Sequence, residues 1–249
     1  MTTKYNRENS RLYEAAKEQT WRRRVELFSL MDLIGNVAGK KVIDLACGEG
    51  WLTRALQNAG ASPVVGTDVS AEMIALARDK ESQHPLGIEY RVEDARAEGP
   101  PRDFDLVTSN WLLVYARDRE ELARLCRGMA RQVRSGGRCV TLITNPELYT
   151  WQDEPPDYRK YGFEARLPGS AVEGAPVVFT LHLDDSSLEI ENYYLPAGAY
   201  ADGLRAAGFR DVAFHDLKLG PDPTAGEEGD YWDDFFHQPL AVMIDAIKE

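Results

Sequence analysis

Residues 41–50 read Lys-Val-Ile-Asp-Leu-Ala-Cys-Gly-Glu-Gly, and this stretch decides the fold. Its first half is apolar, with β-branched Val42 and Ile43, which favours a short buried strand. Its second half places Gly48 and Gly50 where a helix is about to begin. Without a Cβ at those positions, a ligand can approach the backbone closely. The dinucleotide fingerprint needs a third glycine three residues on, and this chain has Thr53 there. Asp44 and Glu49 flank the turn. Both repel a pyrophosphate, and both suit a ligand carrying an ammonium and a sulfonium.

Working outward, strands and helices alternate. A helix runs through Leu52, Leu56 and Gln57 and stops at Gly60. A second strand is expected at 63–67, and Ser70 caps a helix over 71–80. Strands at 88–92 and 104–109 follow, then a helix over 118–133 with Leu122, Leu125, Cys126 and Met129 on one face. The turn Ser135-Gly136-Gly137 leads into a fifth strand at 138–144. This order predicts an α/β fold with a doubly wound, mostly parallel sheet. Residues 145–195 break the alternation with Pro146, Pro155, Pro156, Pro168 and Pro176. Strand-like runs at 177–183 and 188–195 predict a β-rich cap laid over the edge or mouth of the sheet. A helix at 198–207, a strand at 211–217, a long loop at 218–239 and a strand at 240–247 complete seven strands. The last two, with no helix between them, are expected to pair antiparallel. Residues 1–38 space Tyr13, Ala16, Trp21, Val25, Phe28 and Met31 like one buried helical face. The domain reading is a helical cover at 1–38 and a main domain at 39–249, with the cap insert at 145–195.

Composition narrows the function. Among 249 residues, Lys plus Arg number 29 and Asp plus Glu 41, for a formal net charge of −12. So acidic a surface disfavours general nucleic-acid binding. No apolar run approaches the ~18 residues of a membrane span. The first ten residues lack the apolar centre of a secretory signal. Cys47, Cys126 and Cys139 are few and far apart, which fits a reducing compartment and a cytoplasmic protein.

Three further signals lie at carboxyl ends of the predicted parallel strands, where such sheets bind ligands. Asp68, 18 residues past Gly50, is placed to accept hydrogen bonds from a ribose diol. Glu93-Asp94-Ala95 follows the third strand and can accept from an adenine amine. Ser109-Asn110-Trp111 follows the fourth.

Together these stretches resemble the class I S-adenosylmethionine-dependent methyltransferases. Residues 42–50 look like their first motif, 66–70 their second, 93–95 their third and 104–110 their fourth, with Ala46 in place of the usual first glycine. More loosely, Tyr13…Lys17…Trp21, Ala116-Arg-Asp-Arg-Glu-Glu121 and Tyr231-Trp-Asp-Asp-Phe235 are similar to the toxoflavin synthase-like subgroup. The resemblance implies a Rossmann-like methyltransferase fold, S-adenosylmethionine as cofactor and S-adenosylhomocysteine as its product. It implies cofactor contacts from Tyr13, Trp21, Asp44, Ala46, Gly48, Gly50, Asp68, Val69, Met73, Asp94, Ala95 and Asn110. Trp21 or Arg22 would cover the cofactor.

Arg124, Arg127, Arg131 and Arg134 share one helix face, which reads as a solvated face rather than an RNA stripe. No histidine pair has metal-ligand spacing, so no metal is expected. His215, late in the sixth strand of the main sheet, is the candidate general base. The aromatics are concentrated after the fourth strand, including Trp151, Tyr158, Tyr161, Tyr194, Phe235 and Phe236. Such surfaces suit a flat conjugated acceptor, for which Trp111, Tyr115, Asn145, Tyr149, Tyr193 and Trp232 are the candidate contacts. The expectation is methyl transfer to a small aromatic or heteroaromatic secondary metabolite, by a monomer or homodimer acting without membrane or nucleic acid. The alternatives are an RNA-modifying methyltransferase, an NAD-dependent oxidoreductase on a similar sheet, and a non-catalytic binding module.

Overall fold

The computed structural model describes residues 7–150, 157–183, 186–221 and 230–249. Trp151, Pro155, Pro156 and positions 222–229 of the expected long loop lie outside the described residues. The chain opens with α1 (Arg7–Ala16), a π-helical turn (Arg22–Leu27) and α2 (Phe28–Ile34). There follow β1 (Val42–Leu45), α3 (Trp51–Asn58), β2 (Val64–Asp68), α4 (Ala71–Gln83), β3 (Glu89–Val92), β4 (Phe104–Asn110), α5 (Arg119–Gln132) and β5 (Val133–Thr144). Then come β6 (Phe163–Arg166), β7 (Pro176–Leu183), β8 (Ser186–Tyr193), α6 (Ala197–Ala206), β9 (Phe209–His215), α7 (Asp233–His237) and β10 (Ala241–Lys248).

Among the described residues, seven strands form one sheet in the order β3-β2-β1-β4-β5-β10-β9. Pairing is parallel from β3 through β5, and β10 runs antiparallel between β5 and β9, as expected for the final pair. Side chains alternate across the sheet with period two. Val42, Val64, Leu106 and Val140 face one core, with α3, α4 and the helical cover. Ile43, Val65, Val107 and Cys139 face the other, with α5 and α6. Asp44 shares the parity of Val42, so its side chain leaves β1 toward the covered face.

Ser70 caps α4 by accepting a 3.2 Å bond from the Met73 amide, and Asp118 caps α5 by accepting a 2.8 Å bond from Glu121. On α5 the apolar positions Leu122, Leu125, Cys126 and Met129 are buried, while Arg124 and Arg127 are exposed; Arg134 does not share that helix face as expected, because the helix ends at Gln132 and Arg134 stands in β5. There Arg134 Nε donates to the Asp105 carboxylate at 2.7 Å.

The cap is an antiparallel sheet of order β6-β7-β8. Strand β6 was not expected; its four residues are too short for alternation to register. Helix α7 lies inside the expected loop 218–239, held by Phe235, which is fully buried. The helical cover and the cap pack together. Trp21 sits 5.0 Å from Phe163 and 6.1 Å from Phe235, and Gln19 Nε2 donates to the Gly162 and His182 carbonyls at 2.8 and 2.9 Å. Among the described residues no helix is long and apolar enough to cross a membrane.

Candidate active site

The glycine turn bends back on itself after β1. Ala46 and Gly48 adopt left-handed backbone, with φ of 54° and 57°. For Ala46 that conformation costs roughly 1–2 kcal/mol, which the surrounding turn must hold. The Gly48 amide donates to Asp68 Oδ2 at 3.0 Å, and the Ser70 amide donates to Asp68 Oδ1 at 2.8 Å. The ends of β1 and β2 are thus tied together by one carboxylate.

A cavity of about 330 Å³ runs along the carboxyl ends of the parallel strands, within the usual size of a ligand pocket. Tyr13, Ala46, Gly48, Asp68, Val69, Met73, Asp94, Ala95 and Asn110 line it, together with Trp111 and Tyr115. A recess of about 30 Å³ shares Tyr13, Ala46, Gly48 and Asn110 with it and adds Lys17, Asp44, Glu49 and Trp51. The cavity and its recess therefore gather most of the residues singled out from the sequence. Gly50 lies behind them, where a Cβ would strike the Tyr90 ring.

The recess is acidic, and its carboxylates Asp44 and Glu49 are buried. Burial pushes the Asp44 carboxyl up to about 7, against the Thr53 hydrogen bond, which lowers it. Burial likewise raises Glu49 and Asp68. Both Glu49 oxygens are buried without a hydrogen-bond partner; the nearest cation, Lys80 Nζ, is 3.9 Å away. Lys17 Nζ lies 4.5 Å from the Trp51 ring centre and 5.1 Å from that of Tyr13. At the other end, Asp94 is gripped by Arg96 through Nε and Nη2 at 2.9 and 2.7 Å, and this bond holds its carboxyl below the usual range.

Glu26 is the functional candidate that the sequence did not reveal. It is fully buried and accepts from Arg22 Nη1 at 2.6 Å, Trp111 Nε1 at 3.1 Å, Asn110 Nδ2 at 3.4 Å and Lys17 Nζ at 3.5 Å. Burial pushes its carboxyl up, but the Arg22 and Lys17 charges and the bonds it accepts bring it below the ordinary value. A signal was present. Trp21 and Val25 mark the buried face, and Arg22 and Glu26 stand beside them at the same four-residue spacing. The π-helical turn carries both.

Other expected residues are placed elsewhere. Trp21 packs on Phe163 and lines neither cavity nor recess. Tyr149 and Tyr193 line a separate, water-sized crevice with Tyr200. Asn145 caps the turn after β5, accepting from the Glu147 amide at 3.1 Å and donating to the Pro239 carbonyl at 3.2 Å. Trp232 stacks on Tyr161 at 5.4 Å. The aromatic cluster of Tyr158, Tyr161, Phe163 and Phe235 is packed against itself, so these rings build the core of the cap. His215 ends β9, the edge strand, three strands from β4, and does not line the cavity.

Residues 42–137 match the family described as methyltransferase domain. That stretch, from β1 to the turn within β5, is what this chain has in common with the methyltransferases. A ubiquinone biosynthesis O-methyltransferase of Pseudomonas fluorescens is 32% identical over 151 residues, covering 55% of this chain and 63% of that protein. The N-demethylindolmycin N-methyltransferase of Streptomyces griseus is 28% identical over 190 residues, covering 74% of this chain and 75% of that protein. The chain thus spans somewhat under two thirds of the first of these. A solved S-adenosylmethionine-dependent methyltransferase of Clostridium acetobutylicum shares the fold, with a TM-score of 0.64 at 15% identity over 96% of this chain and 98% of that one.

The site fits S-adenosylmethionine, the cofactor of the methyltransferases that this chain is similar to, in its chemistry. Unpartnered buried carboxylate oxygens on Glu49 and the buried Asp44 suit an ammonium, and Lys17 on the same recess suits a carboxylate. The buried Asn110 Oδ1, which has no partner, lies between recess and cavity. In the larger cavity the Asp68 carboxylate stands among the apolar side chains of Val69, Met73 and Ala95, a mixture that suits a nucleoside.

Proposed function

We propose that this protein transfers a methyl group from S-adenosylmethionine to a small, flat, aromatic or heteroaromatic acceptor of secondary metabolism. The carrying observation is the acidic recess joined to a larger cavity with both apolar and carboxylate walls at the head of the sheet. When bound, S-adenosylmethionine supplies an electrophilic methyl carbon attached to a positive sulfur. Asp44 and Glu49 hold the ammonium and Lys17 the carboxylate of its amino-acid end. Asp68 accepts from the ribose hydroxyls, and Asp94 and Ala95 orient the adenine. Asp94 does so with its second lone pairs, since Arg96 already engages both oxygens.

The acceptor is met at Trp111 and Tyr115, whose rings line the same cavity. The helical cover, tied to the cap through Gln19, keeps water from the reacting centre. The protein mainly aligns the reactants. A base is needed only where the accepting atom must first lose a proton. The similar proteins from Pseudomonas and Streptomyces are an O- and an N-methyltransferase, and one of them acts on N-demethylindolmycin. That pairing supports a small-molecule acceptor and leaves the accepting atom to experiment. Calorimetry with S-adenosylhomocysteine and NADH tests the cofactor, with binding of the first alone expected; binding of NADH alone would sink the reading. Incubation with S-adenosylmethionine and candidate heterocycles, read by mass, then tests the acceptor.

A further inference from the structure

We infer that Glu26 is a positioning residue, which fixes the Trp111 indole and the Asn110 amide at the cavity by serving as their shared buried acceptor. Trp111 has a φ of 61°, a left-handed conformation that a bulky side chain does not hold unaided. Two bonds keep it there. Its backbone amide donates to the Leu142 carbonyl at 3.0 Å, and its indole N–H donates to Glu26 Oε1 at 3.1 Å. The ring also lies 6.2 Å from the Phe179 ring of the cap and 5.7 Å from the Arg22 guanidinium.

Asn110 precedes Trp111 at the end of β4 and donates Nδ2 to the same Glu26 oxygen at 3.4 Å. This bond fixes the sense of the amide and leaves its carbonyl oxygen as the atom turned away from Glu26. That oxygen is buried and unpartnered, on a residue that lines both cavity and recess. Glu26 is fully buried, and Arg22 and Lys17 supply the positive charge that keeps it ionised there. An ionised acceptor makes a stronger and more directional bond to an N–H than a neutral one. The helical cover thus reaches through one carboxylate to two residues that form the floor of the site. Glu26 touches no ligand in this scheme; it acts through Trp111 and Asn110. The assignment rests on the reading of the cavity as the cofactor site.

The test uses the full chain with its tryptophan indoles labelled with nitrogen-15, and S-adenosylhomocysteine as the probe. Trp111→Phe identifies the Trp111 N–H signal by its loss. Glu26→Gln is expected to move that signal upfield while the Trp51 and Trp232 signals stay in place. It is also expected to weaken S-adenosylhomocysteine binding about tenfold. In the double variant the two losses should combine to less than their product, as for residues that share one interaction. An unmoved Trp111 signal, or losses that multiply as for independent sites, overturns the assignment. If Glu26→Gln does not fold, Trp111→Phe removes the indole N–H while keeping an aromatic side chain and the Arg22–Glu26 pair; unchanged affinity in that variant overturns the proposal equally. If the wild-type protein does not bind S-adenosylhomocysteine, the cofactor reading falls, while the indole signal still decides the role of Glu26.

Discussion

Thr53 Oγ1 donates a 2.6 Å hydrogen bond to Asp44 Oδ2 across the glycine turn. The residue that stands where a dinucleotide site has its third glycine is therefore the partner of the acid that opens the motif. Both are buried, so the bond is formed out of reach of competing water. Thr53→Val keeps the shape and removes the donor. It is expected to cost about 2 kcal/mol at pH 8, since the bond is made to a charged group. Urea unfolding measures this, and Thr53→Ser should recover most of the loss. A Thr53→Val protein as stable as wild type would show that the bond contributes nothing.

Asp44 makes the site sensitive to pH. Its pKa of about 7 lies above the ordinary 3.8, so between these values the folded chain holds a proton that the unfolded chain has lost. Stability from this group is greatest below that window, falls as pH rises through it, and is level above about 7. A ligand ammonium beside Asp44 favours the ionised form. Below pH 7, binding of S-adenosylhomocysteine should therefore release protons, and affinity should climb with pH. Glu49 and Asp68, also raised by burial, act in the same direction. Calorimetry at pH 6 in buffers of different ionisation heat reads the proton count directly. Asp44→Asn should reduce it, and proton uptake by the wild type would contradict the scheme.

Gly128 sets how closely α5 approaches the Asp94–Ala95 end of the cavity. A Cβ there would collide with the carbonyl oxygen of Ala95, a backbone atom that cannot turn aside. Gly128→Ala must push α5 and the Asp94–Ala95 loop apart. A loss of roughly 1–3 kcal/mol in stability is expected from such overpacking. Weaker S-adenosylhomocysteine binding should accompany it, because Ala95 lines the cavity. Thermal unfolding and titration measure the two effects; unchanged affinity would mean that the loop does not contact the cofactor.

His215 offers a contrast. Strands lie about 4.8 Å apart, so three strand spacings put the end of β9 roughly 14 Å from the end of β4. That is too far for a proton to be taken from an acceptor at Trp111. Once an acceptor is found, His215→Ala is expected to retain turnover within about twofold, in a plain rate assay. A loss of a hundredfold or more would show that the acceptor lies across β5 and β10 instead.

The succession of strands and helices, the glycine turn and the acids at the strand ends were legible in the sequence because each is local. A buried parallel strand shows as an unbroken apolar run, and a turn that approaches a ligand shows as glycine at a fixed offset. Asp44, Asp68 and Asp94 follow from those positions alone. The cap was visible only as an interruption. Its short β6 and the α7 helix owe their form to partners far along the chain, such as Trp21 against Phe163 and Phe235. The same packing explains why the late aromatics, which look like a binding surface when counted, build a core. Glu26 shows the limit most clearly. Its four donors come from positions 17, 22, 110 and 111, and only the folded chain brings the helical cover onto the end of β4. Local residue patterns determined the sheet and the edge of it that lines the cavity. Tertiary packing, which alone can desolvate a charge and surround it with donors, decided what covers that edge and which carboxylate holds it in place.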